Sequence, residues 1–134
     1  MPTSSVKASV IIPNWNGGKW LNGCLNALKS LDFRDFEVLV VEDASIDVSS
    51  YHLEERFPCV RVLQLTEHHD FAKAVNAGIM ATSGEYVVLF NNDTLPSISF
   101  IRNLVQAMDM MLPVVGSLAS SVLSMDNPML LDDT

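Results

Sequence analysis

A chain of 134 residues has room for one hydrophobic core, and 49% apolar against 18% charged residues gives it the material to build one. Eight basic and 16 acidic residues leave a net charge of −8, which opposes the clustered Lys and Arg that a phosphate backbone demands, so no nucleic-acid partner is expected. No apolar run reaches the ~18 residues that cross a bilayer and no leader-like pattern opens the chain, so no transmembrane segment is expected either.

After a polar leader, Ala8-Ser-Val-Ile-Ile12 is a β-branched apolar run stopped by Pro13, Asn16, Gly17 and Gly18, as a buried strand ends in a turn. From Lys19 to Ser30, Trp20, Leu21, Cys24, Leu25 and Leu28 recur at helical steps and form one apolar stripe. Glu37-Val-Leu-Val-Val41 is apolar without polar alternation, the pattern of a strand covered on both faces, and it runs into Glu42 and Asp43. A weaker helix is expected over Ile46–Phe57, ahead of Pro58, and a third strand over Arg61–Leu65. Phe71 to Thr82 has helical spacing and Ser83-Gly84 is expected to stop it. Glu85–Phe90 is the fourth strand and continues abruptly into Asn91-Asn-Asp-Thr-Leu-Pro96. Ser97 or Ser99 is expected to cap a helix through Phe100, Ile101, Leu104, Val105 and Met108, and Pro113–Leu118 to add a fifth strand.

The order βαβαβαβαβ implies an α/β fold: a three-layer α/β/α arrangement around a mainly parallel sheet with right-handed crossovers. Residues 1–134 are expected to form a single domain, with residues 119–134 left as an unassigned tail. Ligands of such sheets sit beyond the carboxyl ends of the strands, which here are Pro13–Gly18, Glu42–Asp47, Thr66–Asp70 and Asn91–Thr94.

Asn, Asp and Gly form ordinary turns, and one such cluster at a strand end is only a turn. Three at one sheet edge converge, because each parallel crossover returns the chain to the same side. Pro13-Asn-Trp-Asn16 brings a rigid turn, two side-chain amides and an aromatic plate, whereas Glu42 and Asp43 bring acceptors for base or ribose donors. Asp93 follows a strand directly, and its carboxylate suits a hard divalent cation whose shell is completed by water and substrate phosphates. The adjacent His68 and His69 are expected to point apart into solvent and Lys73 to stay solvated. Trp20 is expected in the core, Met108–Met111 to pack at a helix end, and Cys24 and Cys59 to be apolar, reduced thiols. No GxGxxG or GxxxxGK[ST] loop follows a strand, no GxSxG elbow occurs and neither cysteine has a nearby His, which removes the dinucleotide, P-loop and hydrolase readings.

Four segments in order resemble the family 2 glycosyltransferases of GT-A fold, especially the rhamnosyltransferase-like members. They are Ser9-Val-Ile-Ile-Pro-Asn-Trp-Asn-Gly17, Asp35 to Ser45 with Asp47, Phe71-Ala-Lys-Ala-Val-Asn-Ala-Gly78, and Gly84 to Thr94 with its DXD-like Asn91-Asn-Asp93. The resemblance implies transfer of a sugar from a nucleotide-diphosphate donor, with inversion, assisted by Mg²⁺ or Mn²⁺. It implies that Pro13, Asn14, Trp15 and Asn16 line the nucleoside pocket, that Glu42 and Asp43 accept from base or ribose, that Asn92 stands near the ribose and that Asp93 binds the metal. It covers the donor half alone, residues 6–118 of a truncated fold, so the general base is expected to be absent from this chain and the catalytic residue stays unassigned. The acceptor, glycan or lipid, is open, and the location expected is cytoplasmic, peripheral to the inner face of a membrane. The alternative from another class is a non-catalytic α/β interaction module that self-associates as a homodimer or binds a partner.

Overall fold

The computed structural model describes residues 5–126; residues 127–134 of the unassigned tail lie outside them. Four strands, β1 (Ala8–Asn14), β2 (Phe36–Glu42), β3 (Val60–Gln64) and β4 (Tyr86–Leu89), alternate with helices α1 (Leu21–Lys29), α2 (Leu53–Arg56), α3 (Phe71–Met80) and α4 (Phe100–Met111). The sheet has the order β3-β2-β1-β4 and every pairing is parallel. The chain therefore winds outward from β1 in one direction and then turns back to add β4 on the other side, which places the topological switch point beside β1.

The unalternating apolar runs of β1 and β2 are explained by the two faces they serve. Val10, Ile12, Val38, Val40 and Val88 pack with Leu21, Cys24, Leu25 and Leu28 of α1 and with Ile101 and Val105 of α4. Ile11, Leu39 and Val41 point the other way and pack with Ala74 of α3. The helix α3 lies close to the sheet because it carries Gly78: a methyl group there would sit 2.6 Å from Ile11 Cγ2 and 2.9 Å from Val41 Cγ2. Helices thus cover both faces and the α/β/α layering holds. Among the described residues no helix is long and apolar enough to cross a membrane.

Several local expectations need correction. The helix expected over Ile46–Phe57 is one turn, Leu53–Arg56. Its first half is held instead by side chains: Asn16 Oδ1 accepts from the Ile46 and Asp47 N–H groups, and Asp47 accepts from Ser49, while His52 at φ 52° interrupts helical propagation. Pro113–Leu118 forms no strand. An apolar run needs a paired neighbour to become one, and this run, which follows α4, pairs with no strand of the sheet, with Val114 88% exposed and open space around Gly116. Gly84 is not the stop of α3, which ends at Met80; its N–H donates to Ser9 Oγ (2.8 Å), and it is small because β1 passes against it. Ser99 stands at the start of α4 but its side chain makes no capping bond. Trp20, Met110, Met111 and Cys59 are exposed, not core. Trp20 precedes the first turn of α1, where Lys19 Nζ lies 4.5 Å from its ring centroid.

Candidate functional site

The carboxyl ends of β1, β2 and β4 and the loop before α3 enclose an open cleft of about 350 Å³. Pro13, Asn14, Trp15, Asp43, Asn92 and Asp93, named from the sequence, all line it. Asn16, which is exposed, and Glu42, which is buried, do not; each holds a neighbouring loop in place instead.

That support is built from strand register. Asn14 and Glu42 are direct partners across β1 and β2. Both side chains are buried, and Asn14 Nδ2 donates to Glu42 Oε2 (2.8 Å) and to Ser49 Oγ (2.9 Å). Glu42 Oε1 accepts from the Ser45 N–H (2.8 Å), so a buried carboxylate is tied on both oxygens and closes the turn after β2. Asn92 Nδ2 donates to Asn14 Oδ1 (3.0 Å), which fastens the segment after β4 to the end of β1. Gly17 sits against this amide pair with no room for a side chain, since a methyl carbon there would overlap Asn14 Oδ1 and Asn92 Nδ2. Asn16, at φ 52°, grips the loop after β2 through Ser45, Ile46 and Asp47. One polar lattice therefore fixes three strand ends relative to one another.

Asp43, 4% exposed, faces the cleft from the end of β2. Its Oδ1 accepts from the His69 N–H (2.9 Å) and its Oδ2 lies 2.8 Å from His68 Nδ1. The His68 ring is stacked on Trp15, with centroids 4.3 Å apart and an interplanar angle of 21°. The two histidines expected in solvent are therefore part of the site, although half of the His68 side chain stays exposed. The available sequence signal was the position of Glu67-His68-His69-Asp70 just beyond a strand end. Asp70 caps α3 by accepting from the Lys73 N–H (2.9 Å). Beneath Asn91, Cys24 Sγ lies 3.8 Å from its carbonyl oxygen; burial, assisted by the Asp93 charge, pushes this thiol up to about 12. Asp93 itself is exposed at the mouth of the cleft. A smaller cavity of about 130 Å³ at the opposite ends of the strands is walled mostly by apolar side chains such as Leu28, Phe36 and Val60.

The decisive match is to the family model described as Glycosyl transferase family 2, over residues 9–122. The chain belongs to glycosyl transferase family 2. Among relatives in sequence, this family 2 chain is 29% identical over 103 residues to glycosyltransferase GlyG of Streptococcus pneumoniae, covering 73% of this chain and 34% of the relative. It is 31% identical over 96 residues to the glycosyltransferase YibD of Escherichia coli, covering 69% and 28%. Among solved structures, a mannosyltransferase of Pyrobaculum calidifontis in complex with GDP-Man and Mn²⁺ superposes with a TM-score of 0.75 at 27% identity, over 86% of this chain and 35% of that one. Staphylococcus aureus TarS 1-349 in complex with UDP-GlcNAc shares the fold at a TM-score of 0.72 and 24% identity, over 90% and 41%. The sheet and helices are those of the GT-A glycosyltransferases, and the chain spans about a third of the length of these sequence relatives.

Proposed function

We propose that this chain binds the nucleotide-diphosphate sugar for a glycosyl transfer, with the cleft at the ends of β1, β2 and β4 as the donor site. The observation that carries the proposal is the meeting of Trp15, Asp43 and Asp93, from three separate strand ends, in one cleft whose walls are locked by the Asn14 network. Trp15 offers a face for the base, and Asp43 is an acceptor for a base or ribose donor. Pro13 and Asn14 form the nucleoside wall, and Asn92 lies at the ribose end. Asn16 and Glu42 act by fixing the loop after β2.

A divalent cation fits the donor set. The described residues contain no group of three or more His, Cys, Asp or Glu that could cage a metal. One exposed carboxylate suits Mg²⁺ or Mn²⁺, which keep water and bind substrate phosphate oxygens, and does not suit a closed zinc site. Asp93 would hold the ion, which when bound supplies neutralisation of charge on the departing diphosphate. The chain's own residues bind and orient the donor, so that the sugar carbon faces an acceptor glycan or lipid; inversion follows if that hydroxyl attacks from the opposite side. No residue here is assigned as the base that removes the acceptor proton. Residues 6–118 form the donor-binding unit of a single domain, with residues 119–134 as its tail. A cytoplasmic location, peripheral to the inner face of a membrane, accords with a charged donor that does not enter a bilayer.

A thermal-shift series tests this. A nucleoside diphosphate at about 100 times its Kd adds about 2.7 kcal/mol, which raises the midpoint by roughly 5–12 °C for a domain of this size. Without Mn²⁺ or Mg²⁺ the rise is expected to fall to about half or less. No shift with uridine, thymidine or guanosine diphosphate under either cation would refute the proposal.

A further inference from the structure

The Asp43 carboxylate is already spoken for. Its Oδ1 is held by the His69 N–H, and its Oδ2 is covered by His68 Nδ1 at 2.8 Å. The His68 ring meanwhile lies nearly flat on Trp15, 4.3 Å between centroids and tilted by 21°. A planar ring stacked on an aromatic plate and offering a ring nitrogen to a sunken carboxylate reproduces the two contacts a nucleobase with an imino N–H would make there. Two rings cannot hold the same oxygen and the same face.

We propose that His68 is a resident competitor for the nucleobase subsite, a residue that mimics the base in the free protein and must swing out for the donor to enter. This rests on the donor-site reading of the cleft. The design is reversible. His68 lies in the loop between β3 and α3 with half its side chain in solvent, so its departure disturbs no core packing. Asp43 meanwhile keeps its bond from the His69 backbone and stays aimed at the cleft. Bases with an imino N–H, uracil, thymine and guanine, replace the imidazole contact in kind. Cytosine and adenine have no such N–H in their neutral rings and displace it poorly. His68 therefore sets the affinity threshold, whereas the acceptor Asp43 sets the choice of base.

Calorimetry on the whole chain with Mn²⁺ tests the proposal, using uridine diphosphate and inorganic pyrophosphate as probes, in wild type and in His68→Ala and His68→Asn. Removing one stacking contact and one half-exposed imidazole–carboxylate contact should tighten uridine diphosphate binding by about five- to thirtyfold. Pyrophosphate, which has no base, should bind all three proteins equally. If uridine diphosphate binds the variants no better, or worse, while pyrophosphate still binds, His68 is a bystander or a base contact and the competitor idea fails with the donor site intact. If both probes tighten together, the effect does not act through the base and the idea fails as well. If neither probe binds any of the three proteins, the donor-site reading and the competitor idea fall together. A cooperative urea transition in each variant establishes that it is folded, and His68→Asn keeps a polar loop residue should His68→Ala not fold.

Discussion

Replacing Asn14 with Ala strikes the hub that joins three strand ends. The substitution removes the donation to Glu42 (2.8 Å), the donation to Ser49 (2.9 Å) and the acceptance from Asn92 (3.0 Å), all at a side chain that is fully buried. A hydrogen bond to a charged group contributes ~1.5–3 kcal/mol and a neutral one ~0.5–1.5 kcal/mol. Water entering the vacated space recovers part of the sum, so the net loss should be about 2–4 kcal/mol. Most of it arises at Glu42, 1% exposed, which keeps only the Ser45 N–H bond on its other oxygen. Against a total stability of ~5–15 kcal/mol, this lowers the urea midpoint by roughly 1–2 M. Equilibrium urea unfolding of wild type, Asn14→Ala, Glu42→Gln and the double variant measures both the loss and the coupling, which for groups in contact should reach about 1 kcal/mol or more. A loss under about 1 kcal/mol for Asn14→Ala, with additive single effects, would refute the lattice as the support of the cleft.

Gly78→Ala drives a methyl group to 2.6 Å from Ile11 Cγ2 and should lower stability by about 1–3 kcal/mol in a thermal melt, while a neutral result would show that α3 can lift freely from the sheet. Gly17→Ala should separate Asn92 from Asn14 and weaken nucleotide binding in a protein that still unfolds cooperatively; unchanged affinity in calorimetry would detach this amide pair from the site. At Glu37, burial opposes ionisation, but hydrogen bonds from Ser9, the Ser83 N–H and Arg61 outweigh it and hold the carboxyl below its ordinary value. Its contribution is therefore complete above the unfolded value of ~4.3 and disappears as pH falls through the lower folded value. Urea midpoints of wild type and Glu37→Gln should differ at neutral pH and converge in acid, and a gap that widens in acid would contradict this. Iodoacetamide should modify exposed Cys59 in the native protein and spare Cys24, whose buried thiol is pushed up to about 12, as peptide mass mapping would show.

The strands were legible because β1 and β2 are covered on both faces, so Val10 to Ile12 and Val38 to Val41 are apolar in succession. The stripes of α1 and α3 were legible for the complementary reason, that each helix buries one side only. What failed depends on contacts made far along the chain. Ile46 to Phe57 reads as a weak helix from Val48, Leu53 and Phe57, yet Asn16 takes the Ile46 and Asp47 N–H groups, and no local pattern announces that. Pro113–Leu118 is apolar enough for a strand but finds no place in the sheet. In the site, Pro13, Asn14, Trp15, Asp43, Asn92 and Asp93 were legible as strand-end residues, since parallel connectivity alone brings such ends together. The distinction between wall and support was not, because Asn14 against Glu42 is a matter of register. Nor was His68, whose stacking on Trp15 and pairing with Asp43 exist only once β1, β2 and the loop after β3 are assembled.

The most direct measurement is a calorimetric titration of uridine, thymidine and guanosine diphosphate into the wild-type chain and Asp93→Ala, each with Mn²⁺ and with the cation chelated. Wild type should bind at least one of them at a single site with Mn²⁺, and both chelation and Asp93→Ala should weaken that binding roughly tenfold or more. Equal affinity in all four conditions, or no binding to the wild-type chain at any accessible concentration, would contradict a cleft in which Asp93 carries the cation and Asp43 and Trp15 receive the base.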